Sequence, residues 1–204
     1  MGAKSDMIEQ PKSFSFTTEN LARAQRIIAK YPEGRQASAV IPLLDIAQRQ
    51  SGNWLPLAAM NYVAEMLEMP RIRVYEVASF YTMFNKEEVG KNFVQICTTT
   101  PCWLRGSDEI KKICRNKLGI GVNETTADGK FTVVEVECLG ACVNAPMVQV
   151  NDDYYEDLTP ENMSKLLDDL ALGKKPSVGS QVGRRGSCAQ NGPTSLKDRV
   201  KSNA

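Results

Sequence analysis

Four cysteines constrain this chain more than any other feature. Cys97 and Cys102 form a C-x4-C pair in CTTTPC, and Cys138 and Cys142 form a C-x3-C pair in CLGAC. Each pair directly follows a run that reads as a β-strand, NFVQIC at 92–97 and the alternating FTVVEVE at 131–137. Thirty-five residues lie between Cys102 and Cys138, enough for one helix and one strand that returns to the same edge of a sheet. Parallel pairing of the two strands would bring both pairs to the same end of that sheet. The cysteines thus call for an α/β arrangement in which helices cover a sheet and thiols crown its strand ends.

The spacing also bears on what the thiols hold. Three or four intervening residues is too many for a C-x-x-C dithiol. Histidine is absent from the whole chain, which removes the commonest metal ligand and any Ser/His or Cys/His catalytic pair. Four thiolates that converge in a reducing compartment point to a metal or cluster rather than to disulfides. Structural zinc prefers tight knuckles, so C-x3-C is admissible and C-x4-C sits at the edge. A 2Fe–2S rhomb takes two cysteines on each iron and tolerates wider loops. Thr98, Thr99, Thr100, Gly140 and Ala141 are small or flexible, which lets backbone N–H groups turn toward cluster sulfides. Spacing therefore favours 2Fe–2S and leaves zinc as the alternative. Glu135 and Glu137, just before Cys138, either lower a redox potential or are solvated strand residues. Cys114 falls on the apolar stripe of a helix and reads as a buried structural thiol. Cys188 reads as a spare exposed thiol.

Upstream of the cysteines the chain reads as helices from residue 17 to about 84. Thr17 or Thr18 caps the first, with Leu21, Ala24, Ile28 and Tyr31 on one stripe. AVIPLLDIAQRQ forms a second, with Pro42 in its first turn, and Pro56 opens a third that buries Met60, Val63 and Leu67. RVYEVASFYTMF supplies a fourth, with Val74, Val77, Ala78 and Tyr81 on one face and the aromatics of SFYTMF as packing residues. After the strand at 92–97, Ser107 caps DEIKKICRNKLG. MVQVN (147–151) is a further strand, and Thr159 and Pro160 open a last helix. The domains expected are a flexible N-terminus (1–16), a helical bundle (17–88), a 2Fe–2S domain (89–175) and a basic flexible tail (176–204).

Composition adds exclusions. The 204 residues are 42% hydrophobic and 24% charged, with a net charge of +1, which gives no bias toward nucleic acid or lipid. No run approaches the roughly 18 apolar residues of a membrane span, and the N-terminus has no secretory signal core. A reducing compartment is expected. From Lys174 onward seven basic residues face one acid, Asp198, so the tail is expected to be mobile alone and to order on a partner.

CTTTPC with CLGACVNAPM, together with YPEGRQASAVIPLL, Trp54-Leu55-Pro56 and VASFYTMFN, closely resembles one family. It is the NuoE-type, thioredoxin-like 2Fe–2S subunit of respiratory complex I, NADH:ubiquinone oxidoreductase. The likeness spans about residues 14 to 175 and implies a helical N-terminal domain followed by a thioredoxin-like α/β ferredoxin domain. By resemblance, Cys97, Cys102, Cys138 and Cys142 ligate a 2Fe–2S cluster, and Pro146 stands like the thioredoxin cis-proline. The resemblance also implies a flavoprotein subunit that binds FMN and NADH, other peripheral-arm subunits, and ubiquinone as the final acceptor. It places the protein on the cytoplasmic face of a bacterial inner membrane, or the matrix side in mitochondria. With no G-x-G-x-x-G and no P-loop, this chain alone is not expected to oxidise NADH. The alternatives are a diaphorase-type 2Fe–2S subunit of an NAD-linked hydrogenase or formate dehydrogenase, and a zinc-stapled interaction module.

Overall fold

The computed structural model describes residues 10–186 and Ser195. It divides into two compact units, with the boundary between Val89 and Gly90.

The first unit is helical: α1 (Thr18–Ile28), α2 (Val40–Gln50), α3 (Leu57–Met66) and α4 (Arg71–Phe80), with a 3-10 turn at Gln36–Ala39. Thr17 caps α1 by accepting a hydrogen bond from the Asn20 N–H, as its position predicts. The helices bury Ala24, Leu43, Leu44, Ile46, Val63 and Val74 against one another. Gln48, itself buried, donates to the Met83 carbonyl and accepts from the Asn85 N–H, which ties the segment after α4 to α2. Two expectations fail here. Residues 10–16 are not loose: Phe14 and Phe16 pack edge-to-face with each other and with Tyr62, and the Gln10 side chain accepts from the Leu57 N–H. Of the aromatic stretch SFYTMF only Phe84 is buried; Phe80 is 77% exposed and stacks edge-to-face with exposed Tyr81. The helix stops at Phe80, so the stripe does not carry Tyr81 inward.

The second unit is a mixed sheet with helices: β1 (Asn92–Cys97), α5 (Thr100–Leu104), α6 (Ser107–Leu118), β2 (Glu124–Thr125), β3 (Phe131–Val136), β4 (Val148–Val150), β5 (Asp153–Glu156), α7 (Pro160–Ala171) and β6 (Gly179–Ser180). The strand order is β2-β3-β1-β4-β5-β6. β1 and β3 run parallel, with Cys97 opposite Val136, while β4 pairs antiparallel with β1 and β5. The core lies between sheet and helices: Val94, Ile96, Val133 and Val148 from strands, Ile110 and Cys114 from α6, Met163, Leu166 and Leu167 from α7. Thr159 and Asn162 form a reciprocal capping box at the start of α7.

Here too the structure corrects the sequence. The cap of α6 is Gly106, at φ +98°, and not Ser107, whose buried hydroxyl has no hydrogen-bond partner among the described residues. α5, β2, β5 and β6 go beyond the predicted elements. The segment from 176 onward, expected to be a flexible tail, is ordered at least as far as residue 186. Gly179 and Ser180 pair parallel with Tyr155 and Glu156, so this stretch finishes the sheet. The rest of the tail, including Cys188, lies outside the described residues apart from Ser195.

Candidate functional site

The parallel pairing of β1 and β3 is what assembles the thiols. Cys97 is the last residue of β1, and Cys138 follows two residues after the end of β3, so both leave the sheet at the same end. From Cys97 the chain turns into α5, whose first turn carries Cys102. From Cys138 it passes through Gly140, at φ +85°, into a 3-10 turn that begins at Cys142. That left-handed backbone favours glycine, and it aims the Gly140 N–H at the Cys138 sulfur, 3.4 Å away. Cys97 and Cys102 are buried, packed with Ala145 and Met147; Cys138 and Cys142 are exposed.

The Cys138 and Cys142 sulfurs are 3.5 Å apart, and Cys97 is in side-chain contact with Cys102. The two pairs share hydrogen-bonding neighbours. The Thr99 hydroxyl lies 3.4 Å from Cys97 Sγ and bonds Cys138 too, while the Leu139 N–H reaches Cys97. Tyr154 on β5 donates its hydroxyl hydrogen to the Leu139 carbonyl at 2.9 Å and so fixes the CLGAC loop to the sheet. Ala145–Pro146 is cis.

The contacts split each pair electrostatically. Burial pushes Cys102 up to about 12, reinforced by its hydrogen bond with Cys97. Burial acts on Cys97 in the same sense, but hydrogen bonds from the Thr99 hydroxyl, the Leu139 N–H, Cys102 and the Thr99 backbone together outweigh it, so Cys97 falls below the usual thiol value. In the exposed pair the Gly140 N–H, then Cys142 and Thr99, lower Cys138, whereas its bond to Cys138 raises Cys142. In each pair, then, one thiol is shifted down and its neighbour up.

Among the described residues no three Cys, Asp or Glu side chains converge to hold a single metal ion. The thiols stand two and two, in adjoining pairs, and that donor set fits a group with two cysteines on each of two irons. Of the other residues singled out by sequence, Glu135 pairs with Lys111 at 3.4 Å, which also pairs with Asp108. Glu137 is exposed, and Cys114 is buried in the core, its thiol pushed up to about 12 by burial. A cavity of about 410 Å³ beside α6 and β3, lined by Lys111, Arg115 and Val133 among others, contains none of the thiols. Sequence reasoning missed Thr99 as a hydrogen-bonding residue, Tyr154, and the pairing of Asp157 with Arg184.

Fold and thiols together define a class: a mixed-sheet α/β unit with four cysteines gathered where two parallel strands end. The model of the thioredoxin-like [2Fe–2S] ferredoxins matches residues 24–171. The chain belongs to that family. It is 64% identical over 158 residues to the E subunit of the NADH-quinone oxidoreductase of Rickettsia bellii, spanning 78% of this chain and 95% of that protein. It is 56% identical over 183 residues to the mitochondrial NADH dehydrogenase [ubiquinone] flavoprotein 2 of Dictyostelium discoideum, 90% of this chain and 74% of that one. Among solved structures, an air-oxidised NAD+-reducing [NiFe]-hydrogenase superposes with a TM-score of 0.58 at 18% identity, over 67% of this chain and 25% of the hydrogenase chain. That last likeness is one of fold. The architecture anticipated from sequence, helices followed by a thioredoxin-like α/β unit, is the one found.

Proposed function

We propose that this chain is the electron-transfer subunit of an NADH:quinone oxidoreductase and carries a 2Fe–2S cluster on Cys97, Cys102, Cys138 and Cys142. The observation that carries the reading is the conjunction of two adjoining thiol pairs with near-complete coverage, at 64% identity, of the Rickettsia bellii oxidoreductase protein. When bound, such a cluster supplies reversible one-electron transfer. The chain's own residues do the rest. Cys97 and Cys102 anchor one side from within the core, and Cys138 and Cys142 face outward. Thr99 and the Leu139 and Gly140 N–H groups place hydrogen bonds on the sulfurs, which raises a potential by stabilising negative charge.

The proposed partner is the flavoprotein subunit that binds FMN and NADH, within the peripheral arm of complex I on the cytoplasmic or matrix side. Exposed Trp103 and Leu104, close to Cys102, and exposed Val143, next to Cys142, supply apolar surface of the kind that forms the core of such a contact. No helix among the described residues is long and apolar enough to cross a membrane, which accords with a peripheral position. The hydrogenase reading rests on fold alone, and a zinc module does not need the two-and-two arrangement.

The test is a cysteine series in the anaerobically purified chain. Wild type is expected to hold two irons and two sulfides, with a visible charge-transfer spectrum and an EPR signal on reduction. Serine at any of Cys97, Cys102, Cys138 or Cys142 should perturb or abolish that spectrum, while Cys114→Ser should leave it unchanged. Stoichiometric zinc without iron refutes the proposal.

A further inference from the structure

The stretch after α7 lies beyond the family-matched residues, yet it bonds directly to the loop that carries Cys142. The Arg184 guanidinium donates from Nη2 to the Val143 carbonyl at 2.6 Å and to Asp157 Oδ1 at 2.6 Å, and from Nε to Asp157 Oδ2 at 3.3 Å. Asp157 Oδ2 also accepts from the Ser180 hydroxyl at 2.7 Å and from the Asn144 side-chain amide at 3.0 Å. The Asp157 N–H donates to the Asn144 carbonyl at 2.7 Å. Asp157 is thus a hub, its side chain only 12% exposed, with one face on the cysteine loop and the other on the C-terminal arm.

The arm is held in place to meet it. Ser180 Oγ accepts from the Arg184 N–H at 3.0 Å, and the Gln181 N–H donates to the Glu156 carbonyl at 2.9 Å. Asn144, only 1% exposed, meets Asp157 through both its side-chain amide and its backbone carbonyl. The planar fork grips the Asp157 carboxylate through two nitrogens, Nε and Nη2, and the same Nη2 reaches the Val143 carbonyl.

We propose that Arg184 is a positioning residue: acting with Asp157, it clamps the Cys142–Asn144 turn and so fixes the exposed half of the thiol site. Tyr154 secures the start of the CLGAC loop from the sheet, and Arg184 secures its far end from the arm. The inference rests on the cluster reading above for its consequence, but the clamp itself is a statement about this chain's hydrogen bonds.

The experiment uses the full chain, purified anaerobically, as wild type, Arg184→Gln, Arg184→Lys and Asp157→Asn. Amide exchange of Val143–Ala145 and iron release to a chelator are followed side by side. Losing charge-assisted bonds should speed both about tenfold in Arg184→Gln and Asp157→Asn. Arg184→Lys keeps the charge but loses the two-nitrogen grip on the carboxylate, so it should behave more like the glutamine variant than like wild type. Exchange in α6 and α7 should stay at wild-type rates, which separates a clamp from general destabilisation. Wild-type loop exchange in Arg184→Gln, or equal acceleration throughout the unit, overturns the proposal. A wild-type chain without iron refutes the cluster reading instead, and loop exchange still decides the clamp.

Discussion

Gly90, at the entry to β1, gives a sharp test of how tightly the second unit is packed. A Cβ built there would lie 2.6 Å from the Phe131 carbonyl carbon, 2.8 Å from its nitrogen and 2.9 Å from its Cα. Ordinary contact begins at 3.4 Å, so Gly90→Ala intrudes by about 0.8 Å on backbone that cannot rotate away. The Gly90 N–H also donates to the buried Thr132 hydroxyl at 2.6 Å, which shares a second hydrogen bond with Thr125. Overpacking costs about 1–3 kcal/mol, and losing the hydrogen bond costs about 1 kcal/mol more. The stiffer unfolded chain returns about 0.4–1 kcal/mol. The expected net loss is therefore about 2 kcal/mol, or about thirtyfold in the opening equilibrium. Native-state hydrogen exchange reads it directly: β1 and β3 amides should lose protection by that factor, while the helical unit stays unchanged. Gly121→Ala is the control, since its Cβ would meet only the flexible Glu124 carboxylate at 3.4 Å. It should stay within about 0.5 kcal/mol of wild type. Equal effects from the two substitutions, or full protection in Gly90→Ala, would refute the reasoning.

Two further outcomes follow from other contacts. Although burial pulls the other way, the Arg184 and Ser180 hydrogen bonds hold the Asp157 carboxyl below its ordinary 3.8. Its contribution is present above that unfolded value and lost as pH falls through the lower folded one, so exchange at Ser180 and Arg184 should accelerate there in wild type and not in Asp157→Asn. Thr159→Ala removes the hydroxyl that accepts from the Asn162 N–H, one half of the α7 capping box, and should cost about 1 kcal/mol, seen as a lower urea midpoint of the second unit with an unchanged slope.

The legible parts of this protein are those where local chemistry and period agree. Thr17, Pro56 and Thr159 mark three helix starts, and Ala24, Val63, Val74 and Cys114, placed on apolar helix faces by their spacing, are buried in the structure. Both thiol pairs are visible because their loops are short and follow clear strands. Ser107 misleads because it is a good cap residue by type, whereas the chain turns at Gly106, which alone tolerates φ +98°. α5, β5 and β6 are too short for any periodicity, and their partners set them. Arg184 and Asp157 are 27 residues apart, and no spacing rule joins them; in a basic tail that arginine looks like a solvated charge. Phe14 and Phe16 show the converse, since apolar residues ahead of a helix cap find a core whatever the flanking composition.

The sheet of the second unit ends at both sides in two-residue strands, β2 at Glu124–Thr125 and β6 at Gly179–Ser180. Long, flat edge strands are templates on which another chain can extend a sheet, and shortness is one way proteins disarm them. The longer strands, β1 and β3, lead into the thiol loops; β1 is paired on both flanks, and β3 pairs with β1 along its length and with β2 at Thr132 and Val133. Among the described residues, then, little backbone is left open for strand addition. Edge-to-edge addition would find only short stretches of backbone there, so loops and side chains are the larger surface this unit offers to other proteins.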